Sequence, residues 1–200
     1  MKRLIRISIC TLLLVLSACS GAGSAETEKK EPAEPETIHH AAIVIRDYGT
    51  VTVELDGPAA PVTVRNFIRL AQAGFYDGLT FHRIIDGFMI QGGKPDTVEK
   101  MDMCETITGE FTANGWENTI LHVPGTISMA RAEDYNSASS QFFIMVGEAQ
   151  HLDGYYAAFG HVTDGLDIVQ KIASDARPTD NNGTIPADEQ PVIETVKIID

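Results

Sequence analysis

In the stretch LTFHRIIDGFMIQGG, residues 79–93, one permanent cation, Arg83, stands among large apolar side chains. Phe88, Met89 and Gln91 follow it across Asp86-Gly87, a strong hairpin-turn pair. A guanidinium beside apolar side chains and one amide suits a shallow apolar pocket with a few polar donors. There the cation keeps its charge and donates hydrogen bonds. The same pattern also fits a surface arginine at the rim of a barrel, and this stretch alone does not separate the two.

The elements that must position these residues are strands. Residues 79–85 alternate and are rich in β-branched and aromatic types, so they read as one strand. Residues 88–91 read as the returning strand, closed by Gly92-Gly93. Strict alternation places Phe81, Arg83 and Ile85 on one face and His82 and Ile84 on the other. His82 therefore reads as support behind the pocket or as core. A second strand-like stretch, SASSQFFIM at 137–145, puts Gln141 and Phe143 on a common face. His151-Leu152-Asp153-Gly154 and Ala158-Phe159-Gly160 follow.

Taken in order, FHRII.GFM.QGG, G.ISMA, SQFFI and LDG...FG resemble the cyclophilin family of peptidyl-prolyl isomerases, from about residue 41 to the C-terminus. Several motifs in one order at compatible spacing are far more specific than any one alone. The resemblance implies a mainly β fold: a closed eight-stranded antiparallel barrel capped by two α-helices. It implies cis/trans isomerisation of X-Pro bonds in proline-containing polypeptides, with Arg83 as the catalytic donor. Phe88, Met89, Phe143 and Leu152 would line the prolyl pocket, and Gln91 would fix Arg83 and the substrate carbonyl. Ala130 and Arg131 match the strand end that pairs with the substrate backbone, flanked by Gln141. His151 and Tyr156 stand where many members carry Trp and His, and Arg131 where many carry Asn. These departures bear on substrate range and drug binding, not on the reaction class. The barrier is lost amide resonance, about 18–20 kcal/mol, so no nucleophile, metal or cofactor is required. Two other readings are a module that holds Pro-containing segments without turnover and a surface interaction protein using the fold as scaffold. A pure scaffold has no need of the arginine.

The rest of the chain suits one domain behind an N-terminal extension. Lys2, Arg3 and Arg6 precede an apolar run at 7–16, too short to span a membrane, which reads as a secretory signal. Leu16-Ser17-Ala18-Cys19 resembles the bacterial lipobox, which implies signal residues 1–18 and a diacylglyceryl-modified Cys19. Two or more acyl chains anchor stably where one is marginal. The protein is therefore expected on the bacterial cell envelope, its domain outside the cytoplasm. Residues 19–38, rich in Glu, Lys, Pro, Ala and Ser, read as a flexible tether, and 39–200 as the domain. The adjacent His39-His40 read as solvated linker rather than metal ligands. Of three cysteines only Cys104 lies in the domain, so no disulfide forms within it, and its acidic neighbours disfavour a reactive thiolate.

A formal net charge of −13 argues against a nucleic-acid partner. We expect a monomer. Strands are expected at 41–46, 50–55, 127–130, 141–146, 157–162 and 192–199. Val64, Phe67, Ile68 and Ala71 recur at helical spacing before Gly74, as do Leu166, Val169, Ile172 and Ala173. Residues 94–124 are long for a connection and point to a functional loop or short irregular strands, pinned by Phe111 and Trp116.

Overall fold

The first two strands, β1 (Ile38–Ile45) and β2 (Gly49–Asp56), alternate as a half-buried pair should. Ala41, Ile43 and Ile45 face inward from β1, and Val51, Val53 and Leu55 from β2. The computed structural model describes residues 37–200. The signal, Cys19 and nearly all of the tether lie outside the described residues. His39-His40, expected as linker, belong to β1, where Asp200 takes the ring of His39 and the backbone N–H of His40.

Helix α1 (Pro61–Gln72) follows, with Pro61 at its start, where the missing N–H is no loss. Val64, Phe67, Leu70 and Ala71 form its buried stripe. Its end is a Schellman closure: Phe75 N–H donates to Leu70 O and Gly74 N–H to Ala71 O, both 3.0 Å. Next come β3 (Phe81–Ile85), β4 (Met89–Gly92), a short α2 (Val98–Asp102), β5 (Thr126–Met129), β6 (Phe142–Met145), β7 (Ala158–Asp164), α3 (Leu166–Asp175) and β8 (Ile193–Ile198). The helix α2 lies in a region expected to hold only loop or irregular strands.

The eight strands form one curled sheet in the order β3-β4-β6-β5-β7-β2-β1-β8, with every neighbour antiparallel. The expected closed barrel is corrected to an open one. Between β3 and β8 there is no ladder, only the isolated bridge Thr80↔Val192 and short contacts such as Gly78 N–H to Ile193 O. Pro191 explains the failure: its carbonyl accepts from Phe81 N–H, but its nitrogen has no proton to return.

Inside the curl, Phe142 meets Phe67, Tyr76 and Phe81 edge to face, with centroids 5.5, 5.5 and 6.0 Å apart. On its outer side the half formed by β4, β5 and β6 is also covered, so β5 and β6 are buried at every position. There Met89, Phe143, Met145, Ala149 and Leu152 form a second, smaller apolar cluster.

The long connection after α2 supplies a cap to α1. Ala60 offers no side-chain cap, and Glu110, 1% exposed, takes that place from 47 residues away. Its carboxylate accepts from Val62 N–H (2.9 Å), Thr63 N–H (2.8 Å) and Thr63 Oγ1–H (2.7 Å). A negative charge at a helix N-terminus also complements the helix dipole. Phe111 beside it is buried, while Trp116 is 38% exposed and donates Nε1–H to Ala59 O. Glu110→Ala is expected to lower the unfolding free energy by about 3 kcal/mol in urea titration, because it strands buried donors. A loss below about 1 kcal/mol would show that those amides find other partners.

Candidate active site

The site is built on the outer face of the doubly covered half-sheet. Cross-strand pairing sets Arg83 opposite Gln91, Gln91 opposite Phe143, and Phe143 opposite Ser128, a row across four strands. Strict alternation would have kept Phe81 with Arg83. It does not, because His82 is an extra residue between the pairs Phe81↔Gly92 and Arg83↔Gln91. This β-bulge re-aims the strand. Phe81 and Ile84 enter the inner core, while Ile85 packs on the outer cluster and Arg83 turns to the outer surface. Gly92 permits it: a Cβ there would lie 2.9 Å from the Phe81 ring.

Arg83 is held from two sides. Nε–H donates to Asn182 O at 2.7 Å, and an Nη1–H to Gln91 Oε1 at 3.1 Å. Met89 Sδ lies 3.8 Å from Nη1. Gln91 is itself oriented, its Nε2–H donating to Gln141 Oε1 at 3.1 Å. Among the described residues Nη2 has no hydrogen-bond partner.

In front of the guanidinium lies an open cavity of about 350 Å³. It is lined by Arg83, Phe88, Met89, Gln91, Ala130, Arg131, Phe143, His151, Leu152 and Tyr156. Gln141, expected to flank the substrate, does not line it, and neither does His82, read as support behind the pocket or as core. Gln141 stands behind Gln91, and His82 sits at the bulge, its Nδ1 buried without a hydrogen-bond partner. Burial, and then the charge of Lys94, hold the His82 pKa below the usual histidine value. Phe88 lies in the β3–β4 turn rather than on β4, and its ring stacks on His151 at 5.9 Å.

Arg131 braces the far rim. Its Nε–H and Nη2–H donate to Tyr155 O, and Nη1 donates to Ala132 O and Glu133 O. Its guanidinium carbon lies 4.6 Å from the Tyr156 ring centroid, 4.8 Å from Tyr135 and 5.2 Å from Phe111. A cation in such a cage is attracted by the ring faces and locked in place.

Sequence reasoning missed His122. It is 1% exposed and stacks on Phe143 at 5.9 Å and 21°. Its Nδ1 lies 2.9 Å from Asp153 Oδ1 and its Nε2 3.0 Å from Ser128 Oγ. A carboxylate only accepts, so Nδ1 carries the proton and Nε2 accepts from Ser128. The Ser-His-Asp order invites a nucleophile reading, but Ser128 is fully buried and out of reach of a substrate. The network instead ties the loop bearing His151 and Leu152 to β5 and sets the floor under Phe143. A lone His at 122 and an Asp at 153 carry no periodic signal; only the pairing of distant loops reveals them.

A family model described as "Cyclophilin type peptidyl-prolyl cis-trans isomerase/CLD" matches residues 40–200. The chain belongs to the cyclophilin family. It is a peptidyl-prolyl cis-trans isomerase. Over 176 residues it is 37% identical to "Peptidyl-prolyl cis-trans isomerase A" of Dickeya dadantii, covering 84% of this chain and 89% of the relative. It is 40% identical over 131 residues to "Peptidyl-prolyl cis-trans isomerase B" of Bacillus subtilis, covering 66% of this chain and 88% of the relative. A crystal structure of a Cryptosporidium parvum cyclophilin in the presence of the dipeptide Ala-Pro superposes with a TM-score of 0.67 at 26% identity. That alignment covers 80% of this chain and 99% of the other.

Burial and the network of Asp153 give this cyclophilin a pH signature. Burial holds the His122 pKa below its usual value, against the raising effect of Asp153. Below about pH 6.5 the unfolded chain takes up protons that folded His82 and His122 resist, so stability falls as pH drops. Urea unfolding at about pH 7 and 5.5 is expected to show that loss, and His122→Gln to shrink it. An unchanged difference in the variant would contradict the assignment.

Proposed function

We propose that Arg83 accelerates X-Pro rotation by donating from its partner-free edge to the prolyl nitrogen of the twisted amide. The barrier is the loss of amide resonance, and uncatalysed exchange takes tens to hundreds of seconds. In the twisted state the nitrogen lone pair is localised and accepts a hydrogen bond; in either planar state it does not. A donor aimed there favours the transition state over both ground states, which is what raises turnover. Each 1.4 kcal/mol or so gained is worth about tenfold in rate. The observation that carries this reading is the Arg83 guanidinium, fixed through Nε and Nη1, on a side chain that lines one cavity with Phe88, Met89, Phe143 and Leu152.

Around that donor, Phe88, Met89, Phe143 and Leu152 take the prolyl ring. Gln91 holds Arg83 and meets the substrate carbonyl. The backbone at Ala130 and Arg131 pairs with the chain of a proline-containing polypeptide, and His151 and Tyr156 shape the entrance. The Ala-Pro dipeptide named with the Cryptosporidium structure contains one X-Pro bond of this kind. The chemistry is proton-neutral and redox-neutral overall, so the residues named suffice for it.

The place of action is the bacterial envelope, with the domain held outside the cytoplasm by lipid on Cys19. The support is the Leu16-to-Cys19 lipobox and the acidic tether after it. Folding assistance to exported proteins follows from that location.

Arg83→Ala is expected to slow isomerisation of an Ala-Pro peptide by about a hundredfold with an unchanged circular dichroism spectrum. Wild-type turnover in that variant would remove Arg83 from the mechanism. Cys19→Ala is expected to abolish incorporation of labelled lipid in cells. An unlipidated mature N-terminus downstream of Cys19 in the wild type would exclude the anchor.

A further inference from the structure

We propose that the turn at 179–185 is the positioning element of Arg83, with Asp180 as the residue that shapes it. The inference rests on the reading of Arg83 as the catalytic donor. A planar guanidinium bonded at one nitrogen can still swing; bonded at two it is fixed in plane and direction. Gln91 supplies one of those bonds, from the neighbouring strand. The other is the carbonyl of Asn182, 2.7 Å from Nε, a main-chain atom from a loop almost a hundred residues further on.

The turn is lashed to β3 on both sides of Arg83. Ile84 N–H donates to Gly183 O (2.8 Å), Ile185 N–H donates to His82 O (3.1 Å), and Arg83 bridges to Thr184. Its internal shape comes from Asp180. One carboxylate oxygen, Oδ1, accepts from both Asn182 N–H (2.9 Å) and Thr184 N–H (3.0 Å). The Asp180 carbonyl accepts from Gly183 N–H (3.1 Å), and Thr179 N–H closes on Thr184 O (2.8 Å). These amides hold the Asp180 pKa below the usual carboxylate value, with Thr184 foremost. Gly183 lets the turn come this close. It has φ +86°, and a Cβ there would lie 2.5 Å from Ile85 Cγ1 and 2.6 Å from Ile84 O.

Asp180 touches neither the cavity nor Arg83, so its effect on turnover must pass through the Asn182 carbonyl. An aspartate-shaped turn thus aims the arginine, while the pocket floor that binds the prolyl ring is built by other elements. Loss of Asp180 should therefore reduce turnover and leave substrate affinity alone.

The test is steady-state isomerisation of an Ala-Pro peptide by the full protein carrying Asp180→Ala, Asp180→Asn, Arg83→Ala, or Asp180→Ala with Arg83→Ala. Asp180→Ala is expected to lower kcat by about tenfold or more, since small misplacements of catalytic groups have large effects, with KM within about twofold. Asp180→Asn keeps an acceptor oxygen and is expected to stay within about threefold of wild type. In the Arg83→Ala background, Asp180→Ala is expected to add nothing. Wild-type kcat for Asp180→Ala overturns the proposal, as does an equal slowing in the Arg83→Ala background. If Arg83→Ala itself turns over at the wild-type rate, the reading of Arg83 falls and this inference with it. A slow Arg83→Ala beside a fast Asp180→Ala sinks the positioning role alone. Should Asp180→Ala not fold, the wild type still decides: NMR exchange should find the Arg83 Nε–H protected, and exchange as fast as an exposed arginine would overturn the proposal.

Discussion

A guanidinium held at two points over an apolar floor is the constraint on which the rest of this structure depends. The cation cannot lose its charge, so it has to remain partly solvated while its donors stay aimed. Asn182 O and Gln91 Oε1 meet that requirement from opposite sides, and Gln141 in turn holds Gln91. Neither contact exists without the bulge at His82, which turns Arg83 to the outer face while Phe81 stays in the core.

Two packed faces make the arrangement rigid. The half-sheet of β4, β5 and β6 is covered by the aromatic core on one side and by Met89, Phe143, Met145 and Leu152 on the other. A side chain confined between two close-packed layers has few rotamers left, so the pocket floor has a defined shape. His122 and Asp153 extend this rigidity to the loop that carries His151 and Leu152. Arg131 does the same for the opposite rim through carbonyls and aromatic rings. The pocket is thus assembled from β3, β4, β6, the β3–β4 turn and the loops that follow β5 and β6.

Much of this was legible in the residues. Strands were expected over most of β1, β2 and β8, Asp86-Gly87 marked the β3–β4 turn, and the helical stripes of Val64, Phe67 and Ala71 and of Val169, Ile172 and Ala173 marked α1 and α3. Ten of the residues singled out for the pocket do line one cavity. What failed has physical reasons. A bulge adds one residue without any local signature, so the face shared by Phe81 and Arg83 was misread. Closure of the barrel turns on a ladder that Pro191 interrupts, a matter of pairing across more than a hundred residues. Short α2 has no apolar stripe to announce it, and none of its residues is buried. Glu110 and His122 act on elements far away in sequence, where periodicity has no reach.

The proposed mechanism requires Arg83 to interact with the twisted amide more strongly than with either planar isomer. NMR exchange spectroscopy on an Ala-Pro peptide measures both quantities in one sample: the affinities for the cis and trans forms, and the rate at which they interconvert on the protein. If Arg83 acts on the twisted amide, Arg83→Ala leaves both ground-state affinities within about threefold while the bound-state exchange rate falls by about a hundredfold. Affinity and exchange rate falling together, by a similar factor, would mean that Arg83 only binds the peptide, and would contradict that mechanism.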